Sequence, residues 1–163
     1  GVTQGKWYWE LKLLSSNMGN HTHGIISELT NPSQTALQNK VGVTQFRNDD
    51  GGEMVKDGTQ TSADYGTFST GDIMGVALNA DDNQISIYKS GSAIVSNFTI
   101  STTRGVLFPF VGMGLNCETQ INFGSPPYSE SGGNSDGNGY GNFSMSVPSG
   151  FFSLNTKNLA EYG

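Results

Sequence analysis

The stretch Lys6 to Leu13, KWYWELKL, constrains the fold of this chain more than any other. Trp7, Trp9, Leu11 and Leu13 fall on one side of an extended segment; Tyr8, Glu10 and Lys12 fall on the other. Period two sustained over such a length is the pattern of a half-buried β-strand, whereas a helix repeats its apolar positions every three or four residues. The alternation sends both tryptophans inward, so they read as core and not as a sugar-stacking platform.

The same grammar continues along the chain. No window carries a helical stripe, and runs of β-branched and aromatic residues alternate with Gly, Asn and Ser clusters. His23 to Leu29 and Val41 to Phe46 read as strands, with Asn31-Pro32-Ser33 opening a loop and Asp49 to Gly52 making a turn. Asp72 to Asn79 is apolar on both sides, which predicts a central strand covered on both faces. Asp81-Asp82-Asn83 turns the chain into Gln84 to Lys89, with Ile85 and Ile87 inward and Ser86 and Tyr88 outward. Ser90-Gly91 then leads into Ala93 to Phe98. Phe108 to Leu115 and Glu118 to Phe123 form a further pair, and Pro109, which cannot donate to a ladder, belongs at a strand start or an edge. Phe152 to Asn155 recovers strand character. The expected fold is all-β: an antiparallel two-sheet sandwich with essentially no α-helix. Its core is expected to contain Trp7, Trp9, Leu11, Val76, Leu78, Ile85, Ile87, Phe110, Ile121 and Phe123.

The length of 163 residues suits one domain, 1–163, with residues 125–146 as a long Gly/Asn/Ser-rich loop within it. Starting on Gly1 points to a piece of a longer chain. The net charge is −6, with eight basic residues in all, which argues against nucleic acid or anionic membrane as partners. No apolar run reaches membrane-spanning length, and no signal peptide is visible. Cys117 is the single cysteine, so no internal disulfide forms, and it reads as a small core residue.

Three ordered segments resemble a SPRY domain. They are Gly5-Lys6-Trp7-Tyr8-Trp9-Glu10, then Gly71 to Leu78 with Ile85 to Gly91, then Phe108-Pro109-Phe110-Val111 leading to Ile121-Asn122-Phe123-Gly124. The resemblance implies a concanavalin-like sandwich, or jelly roll, that binds protein partners through loops at one end and carries no catalytic residues. The C-terminal third, with Gly132 to Phe143, Pro148 to Phe151 and Leu154 to Leu159, resembles SPRY-like modules of tailed-bacteriophage and prophage structural proteins. Ala160 stands where many such relatives have Pro. That likeness implies a virion or extracellular setting, in a tail, fibre or capsid-surface protein. The partners would be neighbouring virion proteins or a host-surface protein or glycan; the setting is compatible with a homo-oligomer. A lectin-like carbohydrate-binding module on the same sandwich is the alternative.

No catalytic constellation stands out. Glucanases on related sandwiches alternate acidic residues along one strand, and no such run occurs here. No Gly-x-Ser-x-Gly elbow is present. His21 and His23, spaced to share one side of an extended segment, lack an evident third ligand for a metal and read as a solvated strand end. The expected contact loops are Ser15 to Asn20, Asn48 to Tyr65 and Pro126 to Asn142, with Tyr65, Tyr128 and Tyr140 as ligand-contact residues. Asn134, Asp136 and Asn138 offer oxygens at every second position, followed by Gly139 and the Tyr140 carbonyl, in the order of the first half of an EF-hand loop. Met145 occupies the place of the bidentate Glu. The only cofactor this pattern suggests is a weakly held Ca²⁺, with an affinity on the order of 10⁻⁴ to 10⁻³ M. The competing account is a loop held by Asn and Asp turn hydrogen bonds.

Overall fold

The structure, a computed structural model, describes residues 1–15, 21–31, 36–49, 51–61, 63–129 and 132–163. It is the expected sandwich. The strands are β1 (Lys6–Leu13), β2 (His21–Ser27), β3 (Val43–Arg47), β4 (Glu53–Lys56), β5 (Thr59–Gln60), β6 (Ile73–Asn79), β7 (Gln84–Lys89), β8 (Ser92–Thr99), β9 (Leu107–Met113), β10 (Thr119–Asn122) and β11 (Phe152–Ser153). One sheet runs β10-β1-β6-β7-β8, with β11 parallel to the start of β1; the other runs β5-β4-β3-β2-β9. Every other pairing is antiparallel.

Register follows from the alternation. Trp7 lies opposite Leu78 and Trp9 opposite Val76, while Leu78 and Val76 meet Ile85 and Ile87 on the next strand. All six are fully or almost fully buried in one core. A slip of one residue would turn this whole row to the other face, which is why the register is so well specified. Pro109 lies on β9, the outermost strand of its sheet, where its missing N–H interrupts no ladder.

Several expectations need correction. β9 is turned by one position: Leu107 and Val111 face the core, while Phe110 is half-buried on the outer side and Phe108 is exposed. Ile121 and Phe123 pack against the core but keep part of their surface in solvent. Cys117 sits half-buried in the turn before β10, its thiol near the Leu115 carbonyl, and is no core residue. Asn48 to Tyr65 is more than a loop, because it contains β4 and β5. Helix is present too: a 3₁₀ turn at Leu37–Asn39, and α1 at Thr156–Tyr162, capped by the Asn155 side chain accepting from Asn158 N. The capping geometry, with Asn155 extended before the first turn, is what converts the tail from strand to helix.

The largest departure concerns β1. It is covered on both faces, not one. Residues 124–129 and 132–151 fold back across its outer side, where Tyr8, Ala77 and Phe143 form a second buried cluster with Tyr88, Val147 and Phe151 packed around it. Tyr8 and Phe143 meet edge to face, 5.1 Å between ring centroids. Glu10 is completely buried beneath this segment, and its carboxylate accepts hydrogen bonds from Ser144 N (2.9 Å), Met145 N (2.8 Å) and the Tyr8 hydroxyl (3.1 Å). Burial first, and the neighbouring carboxylate second, push the Tyr8 hydroxyl far above the ordinary tyrosine range.

Candidate functional site

The strand directions bring one set of connections to the same end of the sandwich. Leu13 pairs with Thr119, Lys12 with Ile73, His21 with Met113, Thr22 with Arg47 and Met74 with Lys89. The described residues that follow or precede these, 48–49, 51–52, 61, 63–72, 90–91 and 114–118, therefore form one rim, called here the loop end. Its loops are locked rather than slack. The Asn48 carboxamide donates to Phe68 O (2.9 Å) and accepts from Phe68 N (2.6 Å), standing in for a β-bridge. This clasp seats the buried Phe68 ring against Phe46, 5.6 Å between centroids and nearly perpendicular.

Lys89 completes the hold on this segment. Its ammonium donates to Thr67 O (2.7 Å), pairs with Asp72 (2.9 Å) and lies 5.0 Å from the centre of the Phe68 ring. Gly71 N donates to Leu13 O, and Tyr65 N to Gly52 O. Gly52 has φ 81°, and a Cβ there would lie 2.2 Å from the Gly66 carbonyl, so the close approach of the two segments requires glycine. Glu118 N donates to Ser15 Oγ, tying the segment before β10 to the end of β1.

What this rim presents is apolar and ionic, without a reactive set. Met113 is 53% exposed and Leu115 86%. On the outer side of the same sheet, Arg47 bridges Asp49 (2.6 Å) and Glu53 (2.9 Å) and donates to Gln60 (2.6 Å). Asp72 accepts from Ser69 N and pairs with Lys89; burial opposes its ionisation, but these contacts hold its carboxyl below the usual range. A hollow of about 250 Å³ lined by Gly71, Asp72, Ile73, Ser90, Ser144 and Met145 opens beside the rim. Among the described residues no three His, Cys, Asp or Glu side chains group to hold a metal.

The structure scatters the expected contact residues. Tyr65 lies in the rim but leans on the core. Tyr128 lies on the outer side of β1, its ring 5.2 Å from the Lys12 ammonium, and Tyr140 lies 4.8 Å from that of Lys157. They make no shared platform. Of the expected loops, Asn48 to Tyr65 contributes both of its ends to the rim, and Ser15 belongs to it as well. Residues 16–20 lie outside the described residues. Pro126 to Asn142 belongs instead to the segment over β1.

The calcium pattern resolves into a hydrogen-bond hub. Asp136 Oδ1 accepts from Asn138 N and Tyr140 N, each at 3.0 Å. Its Oδ2 accepts from Ser153 N (2.9 Å), Ser153 Oγ (2.7 Å) and Asn158 Nδ2 (2.7 Å). The Tyr140 carbonyl accepts from Asp136 N, Asn134 donates to Phe143 and Ser144 carbonyls, and Asn138 donates to Asn158 Oδ1. The oxygens of Asp136 and Tyr140 expected to face a cation face protein donors instead. Burial alone would raise the Asp136 pKa, but these donors outweigh it and hold the carboxyl below the ordinary range. Asn48 and the Asp136–Asn158 partnership escaped the sequence reading, because nothing local marks an Asn whose partner lies about twenty residues away.

Residues 6–126 match the family model described as SPRY domain. The chain belongs to the SPRY family. Except for Gly5, the match contains the three ordered segments that carry the resemblance, and it stops short of most of the segment over β1. Among curated proteins, the chain is 26% identical over 128 residues to "Probable ATP-dependent RNA helicase ddx1" of Dictyostelium discoideum, covering 78% of this chain and 15% of that protein. The chain thus spans a small part of that relative's length. Among solved structures, the SPRY domain of human HERC1 superposes with a TM-score of 0.58 at 17% identity, covering 74% of this chain and 76% of that one. That likeness is one of fold. SPRY domains are in general non-catalytic protein-interaction modules.

Proposed function

We propose that this SPRY domain docks a protein partner on its loop end, with Leu115 and Met113 as apolar anchors and the Arg47–Asp49–Glu53 group as the polar flank. One observation carries the reading: two large apolar side chains stand exposed at the end of β9 and on the loop after it, which a hydrogen bond from Glu118 N to Ser15 Oγ ties to the end of β1. Preorganised loops lose little conformational entropy on binding, so their exposed apolar area converts efficiently into affinity. The lectin alternative has less support, since Tyr65, Tyr128 and Tyr140 build no aromatic groove. A virion setting would rest on the C-terminal resemblance alone; the two relatives named above come from Dictyostelium discoideum and human.

Site-specific photocrosslinking tests the docking. A photoreactive residue at position 115 is expected to capture a protein partner in the native setting, while one at Thr102, at the opposite end, captures none. Adding Met113→Asp should abolish the capture. Equal capture from both ends would overturn the proposal.

A further inference from the structure

Every ring nitrogen of His21 and His23 is buried without a hydrogen-bond partner among the described residues. Buried polar groups are nearly always satisfied, so four orphaned nitrogens in one place call for an explanation. Both side chains are 0% exposed, with ring centroids 5.5 Å apart in an edge-on arrangement. The expected solvated strand end is thus corrected: β2 alternates so that His21, His23 and Ile25 all point between the sheets.

We propose that this pair is an acid-sensitive latch beneath the loop end, which keeps that end closed while both imidazoles are neutral and loosens it when they gain protons.

Among the described residues nothing around the pair stabilises an imidazolium. His23 lies between Phe46 and Val111, and His21 lies opposite Met113. The inward residues of the facing strands include Leu11, Leu13, Met74 and Val76. The charged groups on the surrounding strands lie elsewhere or are already engaged. Glu10 and Lys12 occupy the outer side of β1, Arg47 and Glu53 the outer side of their sheet, and Asp72 pairs with Lys89. Lys56 on β4 is itself a cation, and β9 carries no ionisable group. Burial first, and His21 second, pull the His23 pKa down to about 3; burial pulls His21 down as well.

The sign follows from these directions. An opened or unfolded chain takes up protons at the ordinary histidine pKa of about 6.5, while the closed chain does not until far lower pH. Stability is therefore complete above about pH 6.5 and drains as pH falls toward 3, by about tenfold in the opening equilibrium per pH unit for His23, with His21 adding in the same direction.

The place of the pair decides where the molecule gives way. The His21 carbonyl accepts from Asn48 N at 3.0 Å, and the Asn48 side chain is the clasp that holds Phe68. Water reaches the imidazoles most directly by releasing this clasp. Release of a docked partner on acidification rests on the docking reading above; the loosening itself does not.

Amide hydrogen exchange on the chain as it stands tests the latch. The protected amides of Phe68, Tyr65 and Gly71 at the loop end compare with those of Ala80, Ile100 and Leu107 at the other. Between pH 6.5 and 4.5 protection at the first set should fall at least tenfold per pH unit, and at the second it should hold. His23→Phe should make that fall shallower, leaving only what His21 contributes; His23→Met serves if the phenyl ring misfolds the core. Equal loss at both ends, or an NMR titration placing both imidazoles near 6.5 in the folded chain, would overturn the latch. Crosslinking from position 115 repeated at pH 5 separates the readings. Undiminished capture with loosened loops would defeat docking there and leave the latch standing.

Discussion

Two buried polar centres in this molecule are treated in opposite ways. Over the outer side of β1, Glu10 and Asp136 are withdrawn from water, yet three donors reach the first carboxylate and five the second. Between the sheets, His21 and His23 are withdrawn just as completely, and their nitrogens meet no donor or acceptor among the described residues. A saturated buried charge pins its surroundings, because removing it strands every donor aimed at it. An unsatisfied neutral base does the reverse: it is stable only while uncharged, so it hands control of its neighbourhood to pH. The segment over β1 is thus built for permanence, and the loop end for response.

The first way to break this contrast is to remove the cover. Deleting residues 127–163 strips the donors from Glu10 and uncovers Tyr8 and Ala77. The truncated chain, although it retains the matched SPRY span, is expected to show no cooperative thermal transition by calorimetry. A sharp transition near that of the parent would show that the cover is an accessory.

Next in size, Glu10→Ala in the full chain leaves Ser144 N and Met145 N unsatisfied and should lose about 3–5 kcal/mol in denaturant unfolding. Asp136→Ala strands donors nearer the surface, and a loss of about 2–3 kcal/mol is expected. Because the folded Asp136 pKa is depressed, its contribution is complete above the ordinary carboxylate pKa and lost as pH falls below it. Asp136→Asn should therefore flatten the stability profile below about pH 4 and leave the histidine window above it unchanged. Titrating millimolar calcium into the parent should give only heats of dilution; a saturable heat lost in Asp136→Ala would reinstate the cation. Smallest of all, Leu115→Ser should change stability by no more than about 0.5 kcal/mol, since the side chain is mostly in water. A larger loss would mean that Leu115 belongs to the fold and not to an interface.

Legibility along the sequence tracked the locality of the interactions. β7 was readable to its ends, because Gln84 to Lys89 alternates cleanly between two tight turns. β9 was readable as a strand, but its face was not: Phe108, Phe110 and Val111 are all apolar, so period two chose no side. β4 and β5 were hidden because Glu53–Lys56 and Thr59–Gln60 are short and mostly polar. The candidate site was legible only as loops. Its apolar anchors stand at the end of β9 and just past it, and nothing in the residue types distinguishes an exposed Leu115 from a buried one.

By itself the sequence determined most of the strands, the antiparallel sandwich and the inward tryptophans, since these depend on alternation and turns within a few residues, while the order of three segments carried the resemblance to SPRY domains. Tertiary structure alone decided that β1 would be covered on both sides, that Asp136 would bind Ser153 and Asn158, and that two histidines would be sealed in the core. Those outcomes depend on partners far along the chain, as when Ser144 reaches back to Glu10 across 134 positions. A side chain's own neighbours in sequence fix which way it points, but only the packed molecule fixes what it meets there.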